Sequence, residues 1–181
     1  MASLMDTLDT YRLDPRRKAF DFLPGDFLST DTLDVKRHTF VPKVYVIGSL
    51  RNPVVQDVAN KLRTDGFEVF DDWSAVGPEA DDHWKTYEQG RGRNFKQALC
   101  GKSCENTFNF DRRNIDAADI GVMVMPAGKS GHIELGYMAG KGKRTFVLLQ
   151  EDSDRWDIMY KFFTGIVYDY KELVREIHTT C

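Results

Sequence analysis

The sequence predicts an α/β fold, a doubly wound parallel sheet with helices on both faces. Short apolar runs recur at Val44–Ile47, Val122–Met125 and Thr145–Leu149, and each is too short for a helix. Segments with helical periodicity separate these runs, and strands that alternate with helices favour parallel pairing.

The first unit is predicted as strand, helix, strand. Val44–Ile47 forms a buried strand, and the following helix runs from about Pro53 to Thr64, because proline suits a first helical turn. Gly66 ends that helix, and Glu68–Phe70 forms a short second strand.

Glycine, proline, acids and aromatic residues alternate in Trp73–Gly92. This pattern predicts a long loop with a helical piece at Asp81–Gln89, and loops of this length in compact domains are usually lids or binding loops. Trp84 and Tyr87 are spaced to lie on one helical face. They stack on a flat ligand such as a nucleobase or cover the edge of the core, and the sequence leaves both readings open.

The remaining elements continue the alternation. We predict helices at Phe95–Gly101 and about Thr107–Ala118, a strand at Thr145–Leu149, a crossing segment at Glu151–Phe163, a strand at Ile166–Tyr168 and a closing helix at Lys171–His178.

Residues 1–42 are expected to form an N-terminal extension, and residues 43–181 the domain. The extension is polar and irregular, with Pro15, Pro24 and Gly25 among scattered phenylalanines. It is expected to lie over the domain surface, against a partner, or as the ordered arm of a dimer.

The chain is organised around Gly121–Gly142, which is predicted as a buried strand, a tight loop and the start of a helix. Such a loop lies at the carboxyl edge of a parallel sheet, where ligands bind. We expect Glu134 in the first helical turn, held ionised by the helix dipole, and backbone N–H groups of Gly131 and His132 free to favour an anion. An ionised carboxylate in a fixed position can be a nucleophile, although any helix can begin with an acid.

Composition narrows the classes of partner. The 181 residues carry a formal net charge of −3 and are 41 % hydrophobic, as in an ordinary globular protein. No basic stripe indicates a nucleic-acid polymer, and no apolar run suits a membrane helix, so a small polar ligand is expected.

The three cysteines make no C-x-x-C pair, which favours the reducing cytoplasm. Cys100, Cys104 and His83 lack a fourth ligand, so neither a metal site nor a cofactor is expected.

Two glycine-lysine motifs fail as nucleotide fingerprints. A P-loop that ended at Gly128-Lys129-Ser130 would need a glycine where this chain has Met123. Gly140-Lys141-Gly142 ends a helix and serves as its C-cap.

What remains is a small anion-friendly loop that holds Ser130. It is expected to face a second loop, Gly48-Ser49-Leu50-Arg51-Asn52, across the crevice of the sheet. Ser49, Arg51 and Ser130 could together hold a phosphate, although Arg51 could equally be a solvated surface charge.

A nucleophilic glutamate needs a second acid within reach, because its leaving group must be protonated or hydrogen-bonded. The sequence offers four candidates for this role: Asp71, Asp72, Asp111 and Asp116.

Three motifs in order resemble those of the nucleoside 2-deoxyribosyltransferase superfamily, which includes 2′-deoxynucleoside 5′-monophosphate N-glycosidases. They are Gly48–Asn52 after the first strand, Asp111 eight positions before Asp119, and Gly-x-x-Glu-Leu-Gly at Gly131–Gly136. The resemblance covers roughly residues 43–149.

The resemblance implies a flavodoxin-like (Rossmann-like) fold of five parallel strands, with Glu134 as the nucleophile at the sugar C1′ and Asp111 as the assisting acid. In the phosphate-accepting branch, the loop before the glutamate binds the 5′-phosphate, and this chain offers Gly128, Ser130 and Gly131 there. The transferase branch tends to have an aspartate six positions before the nucleophile, where this chain has Gly128. That departure favours a 5′-phosphorylated substrate.

Three functions follow as hypotheses. The first is cleavage or transfer at the N-glycosidic bond of a nucleoside 5′-monophosphate or deoxynucleotide, with Glu134 attacking, Asp111 and Asp72 assisting at the base, and Trp84 or Tyr87 stacking on it. The second is a non-catalytic nucleotide-binding sensor, and the third is cleavage of an NAD-like dinucleotide. By resemblance, a homodimer or higher homo-oligomer is expected.

Overall fold

A computed structural model describes residues 41–152 and 156–179. These residues lie within one unit, Thr39–Cys181. Residues 1–40 of the predicted extension lie outside the described residues, so the extension and its boundary stay predictions. Residues 153–155 of the predicted crossing segment also lie outside them.

The predicted parallel, doubly wound sheet is confirmed. Five strands pair in parallel in the order β2-β1-β3-β4-β5. They are β1 Lys43–Ile47, β2 Glu68–Phe70, β3 Ile120–Val124, β4 Arg144–Leu148 and β5 Gly165–Val167. The strand order reverses between β1 and β3, and a crevice opens at the carboxyl ends of strands on either side of such a reversal.

The described helices are α1 Val54–Thr64, α2 Ala80–Gly90, α3 Phe95–Leu99, α4 Lys102–Ala117, α5 Lys129–Gly140 and α6 Tyr170–Thr179, with 3-10 turns at Asp72–Val76 and Ile158–Phe162. Most of these bounds lie within two residues of the prediction. Helix α4, however, begins five residues before the predicted Thr107. The break between α3 and α4 falls at Gly101, whose backbone is extended, and a Lys102 to Glu105 ion pair supports the first turn of α4.

The core forms one layer on each face of the sheet. Successive side chains of a strand point to opposite faces, so Val44 and Val46 of β1 pack with α1 and α6, while Tyr45 and Ile47 pack with α4 and α5. Both helices that carry candidate acids therefore lie on the face to which β1 presents Tyr45.

Gly121 allows α5 to approach β3 closely. A Cβ atom at this position would lie 2.6 Å from Sδ of Met138 and 3.0 Å from Cδ1 of Leu135, both of which are fully buried. The absence of a side chain here sets the depth at which α5 lies against the sheet.

We predict that Gly121→Ala lowers the free energy of unfolding by about 1–3 kcal/mol, because the methyl group overpacks the α5 interface. Gly136→Ala on the exposed side of α5 is the matched control, since a Cβ there meets nothing within 4 Å. The control is expected to be neutral or stabilising, because alanine favours a helix over glycine. Urea denaturation measures both, and equal stabilities would contradict the packing argument.

Candidate active site

A cavity of about 650 Å³ lies at the carboxyl ends of β1 and β3, and its volume is typical of a small-molecule site. The loop after β1, the segment Trp73–Gly92 (the lid), the first turns of α4 and the start of α5 contribute to its wall. Nine of the predicted site residues line it: Gly48, Ser49, Leu50, Arg51, Trp84, Asp111, Gly128, Ser130 and Glu134.

Glu134 lies in the second turn of α5, because the helix begins at Lys129. The prediction that it sits in the first turn and is held ionised by the helix dipole is therefore wrong. Burial first, and then the negative charge of Asp111, raise its pKa from 4.5 to about 7. Desolvation outweighs the dipole because the dipole acts mainly within the first turn.

The backbone at the start of α5 also differs from the prediction. The N–H of His132 donates to the carbonyl of Gly128 at 3.4 Å, so it is not free for an anion. Gly131 is buried, and a Cβ there would lie 3.0 Å from Cγ2 of Ile47. Gly131 therefore lets α5 pack closely on β1 and does not line the cavity.

Asp111 and Tyr45 complete a cluster of three titratable groups from three elements. Burial raises the pKa of Asp111 on α4 above its usual value. The pKa of the Tyr45 hydroxyl is raised by burial first, and then by the negative charges of Glu134 and Asp111. All three side chains line the cavity.

The two carboxyl groups titrate as a coupled pair, since the charge on Asp111 opposes ionisation of Glu134. Near neutral pH the cluster therefore keeps part of one proton, while Tyr45 stays fully protonated. Two acids whose pKa values are pushed apart by their surroundings can divide the roles of proton donor and nucleophile.

Three other predicted residues lie outside this cluster. Asp72 is exposed at the start of its 3-10 turn, which directs Trp73 inward, where Nε1 donates to the carbonyl of Val46 at 2.7 Å. Asp72 is not among the lining residues, so the structure does not support its catalytic role. Asp71 is instead buried and paired with Arg63, and Asp116 bonds Tyr137 and Lys141 at the far end of α4.

Of the two predicted aromatic residues of the lid, Trp84 lines the cavity and Tyr87 does not. Trp84 lines the cavity and packs edge-on against Phe95, with ring centroids 6.4 Å apart. Its indole N–H is buried without a hydrogen-bond partner among the described residues, which leaves a donor for a ligand. Tyr87 is 52 % exposed, and its hydroxyl accepts a hydrogen bond from Arg91 at 2.7 Å. Of the two lid residues, Trp84 is therefore the one that can contact a base in the cavity.

The loop after β1 is tied to the lid. The guanidinium of Arg51 lies 2.7 Å from a carboxylate oxygen of Asp82 and 3.6 Å from one of Glu79. Asn52 does not line the cavity. It donates to the carbonyl of Pro126 at 3.4 Å and lines a neighbouring pocket of about 340 Å³, which shares Ser49, Arg51 and Gly128 with the cavity.

On the side of the cavity that α4 provides, Asp111 was predicted and the other lining residues were not. Cys104, Thr107, Phe108 and Asp111 follow the i, i+3, i+4, i+7 spacing of one helical face, and Ser103 lies beside them. The spacing was a usable signal, but it was hidden because the helix was predicted to begin only at Thr107.

Within residues 41–152 and 156–179, no three His, Cys, Asp or Glu side chains come together in a way that could hold a metal ion. In the same residues, no helix combines the length and apolar character that crossing a membrane requires.

No family model matches the chain, and no curated protein matches it. A solved structure has a similar fold. It is the Clostridium botulinum CMP N-glycosidase BcmB, which aligns with a TM-score of 0.45 and 16 % identity over 75 % of this chain and 98 % of that chain. At this TM-score and identity, the likeness does not bear on which residues act or on what substrate.

We predict that Glu134→Gln stabilises the protein increasingly as pH rises. Both states of the wild-type chain hold the Glu134 proton below about pH 4.5, but between 4.5 and 7 only the folded state does. Wild-type stability therefore falls across this window, and the loss is complete above pH 7. Glutamine never ionises, so the variant should gain roughly 2–3 kcal/mol over wild type at pH 8 and far less at pH 5.

Urea denaturation at pH 5, 6, 7 and 8 measures this difference. Glu68→Gln serves as control, because Glu68 is 61 % exposed and pairs only with Lys43 among the described residues. Its effect on stability should hardly change over this range, and an equally flat profile for Glu134→Gln would refute the buried-acid account.

Proposed function

We propose that the chain cleaves the N-glycosidic bond of a nucleoside or nucleotide and uses Glu134 as the nucleophile. One observation carries this proposal: Glu134 and Asp111, from different helices, share a cavity of nucleoside size with Tyr45. A site that only binds nucleotides has no need for two half-buried, electrostatically coupled acids, because each costs free energy to desolvate.

The proton held by the acid pair has a use in this reaction. In the free protein the charge on Asp111 favours the proton on Glu134, so the reaction begins when that proton passes to Asp111. The ionised Glu134 then attacks C1′ while Asp111 protonates the departing base, which takes the bonding electrons of the broken C–N bond. The glycosyl ester on Glu134 is then attacked by water, and the Asp111 carboxylate accepts the water proton. The second step returns the pair to its starting protonation, and a second base in place of water would give transfer.

Tyr45 supports the ionised form of the pair. Its pKa is raised, so its hydroxyl keeps the proton at neutral pH and can donate a hydrogen bond to a carboxylate in the cluster. The aromatic rings of Trp84 and Phe108 line the cavity and suit a flat base, while the hydroxyl groups of Ser103 and Thr107 can meet its polar edge.

The neighbouring pocket favours a second candidate function, the cleavage of an NAD-like dinucleotide. This pocket shares three residues with the cavity and would give the distal nucleotide a place beyond the sugar. The chemistry at Glu134 would be the same, so both candidates enter one experiment.

The purified protein should release one free base when incubated with a panel of ribo- and deoxyribonucleosides, their 5′-monophosphates and NAD, followed by chromatography. We expect Glu134→Gln and Asp111→Asn each to lower the rate by about a hundredfold or more, because each removes a group that acts in the transition state. Glu68→Gln should retain the wild-type rate.

Base release that survives in Glu134→Gln would contradict the nucleophile. If no member of the panel is cleaved but nucleotides still raise the melting temperature, a non-catalytic binding role replaces the proposal.

A further inference from the structure

Two acids of the lid form ion pairs with the guanidinium of Arg51, which lies on the loop after β1. Glu79 lies at the N-cap of α2 and Asp82 in its first turn, and both face Arg51. From the sequence, Arg51 is one of three residues that could hold a phosphate, with Ser49 and Ser130, or else a solvated surface charge. In the structure two carboxylates of the lid already occupy it, so a phosphate would have to replace them.

The rest of the cavity is also unfavourable to a phosphate dianion. Its described lining residues include three carboxyl groups, Asp81, Asp111 and Glu134, and one cationic side chain, Arg51. Since Asp82 and Glu79 already neutralise Arg51, an entering phosphate would meet like charges without a free cation.

These ion pairs are exposed enough to be displaced. The side chains of Arg51, Glu79 and Asp82 are 54 %, 60 % and 62 % exposed. Exposed ion pairs contribute little to the free energy of unfolding. These pairs therefore suit a role in selecting the ligand better than a role in stabilising the fold.

We propose that Asp82 and Glu79 are specificity-determining residues that select substrates without a 5′-phosphate. A nucleoside with a free 5′-hydroxyl leaves both pairs with Arg51 intact and the lid in place. A nucleoside 5′-monophosphate must compete with two carboxylates for the same guanidinium, and so must the pyrophosphate of an NAD-like dinucleotide. The inference therefore counts against the second candidate function. The inference rests on the proposed function, because it takes the ligand to be a substrate. The preference for a nucleoside over its 5′-monophosphate is a property of binding and can be measured without turnover.

This conclusion differs from the sequence expectation. By the resemblance to the family, the absence of an aspartate at Gly128 favours a 5′-phosphorylated substrate. The lid acids lie far from Gly128 in the sequence, and they return negative charge to the same region through Arg51.

The test measures dissociation constants by calorimetry in a Glu134→Gln background, where base release is expected to be at least about a hundredfold slower. The probes are the nucleoside and the nucleoside 5′-monophosphate of each common base. With the lid acids intact, the nucleoside should bind more tightly than its monophosphate. The double variant Asp82→Asn/Glu79→Gln should bind the monophosphate about three- to tenfold more tightly and change the nucleoside less than twofold.

The matched control is Glu68→Gln/Asp116→Asn, which removes two acids that pair with lysines away from the cavity. It should leave the ratio of the two dissociation constants unchanged. When Arg51→Gln is added, Asp82→Asn/Glu79→Gln should change the ratio of the two dissociation constants less. The guanidinium for which the phosphate and the lid acids compete is then absent.

Tighter binding of the monophosphate with the lid acids intact would overturn the inference, as would an unchanged ratio in the double variant. A shifted ratio without base release from the wild-type protein would keep the lid selectivity while the proposed function fails. If neither ligand of any pair binds, the cavity is not a nucleoside site and both proposals fall.

Discussion

The desolvation of two carboxyl groups in one cavity is the constraint on which the site depends. Glu134 and Asp111 are both buried enough to raise their pKa values, and their proximity makes the second ionisation harder. Burying a carboxyl group without an opposite charge opposes folding, so the sheet and its two apolar layers must supply the difference. As a result, the two carboxyl groups share one proton near neutral pH. Proton transfer to a leaving base requires such a proton.

The fold provides this arrangement through close helix packing on one face of the sheet. Helix α5 lies near β3 and β1 because Gly121 and Gly131 carry no side chains. Helix α4 packs on the same face, and Tyr45 of β1 lies beneath both. The lid closes the opposite side with Trp84, and its acids reach Arg51 on the loop after β1. The proposed reacting acids, Glu134 and Asp111, and the proposed specificity-determining acids, Asp82 and Glu79, thus come from separate elements.

Much of the fold could be predicted from sequence, because five short strands and their helices follow from apolar runs and glycine or proline breaks. The position of Glu134 and Asp111 in one cavity was also predicted, through motif order. The protonation state of Glu134 was not predicted. It depends on where α5 begins, which the loop conformation sets, and on the burial of the side chain, which depends on the neighbouring α4. Tyr45 reads as core in sequence, and the Arg51 to Asp82 pair joins positions whose distance no local pattern reveals.

The most direct test of the account is to look for the sugar on Glu134 itself. A reaction with the base-releasing substrate should be quenched with acid during turnover, and the intact protein and its peptides then weighed by mass spectrometry. The account predicts a mass increase of one glycosyl group on the peptide that contains Glu134, absent from Glu134→Gln. An adduct on another residue, or base release from an Asp111→Asn variant that accumulates no adduct, would contradict the role of Glu134 as nucleophile.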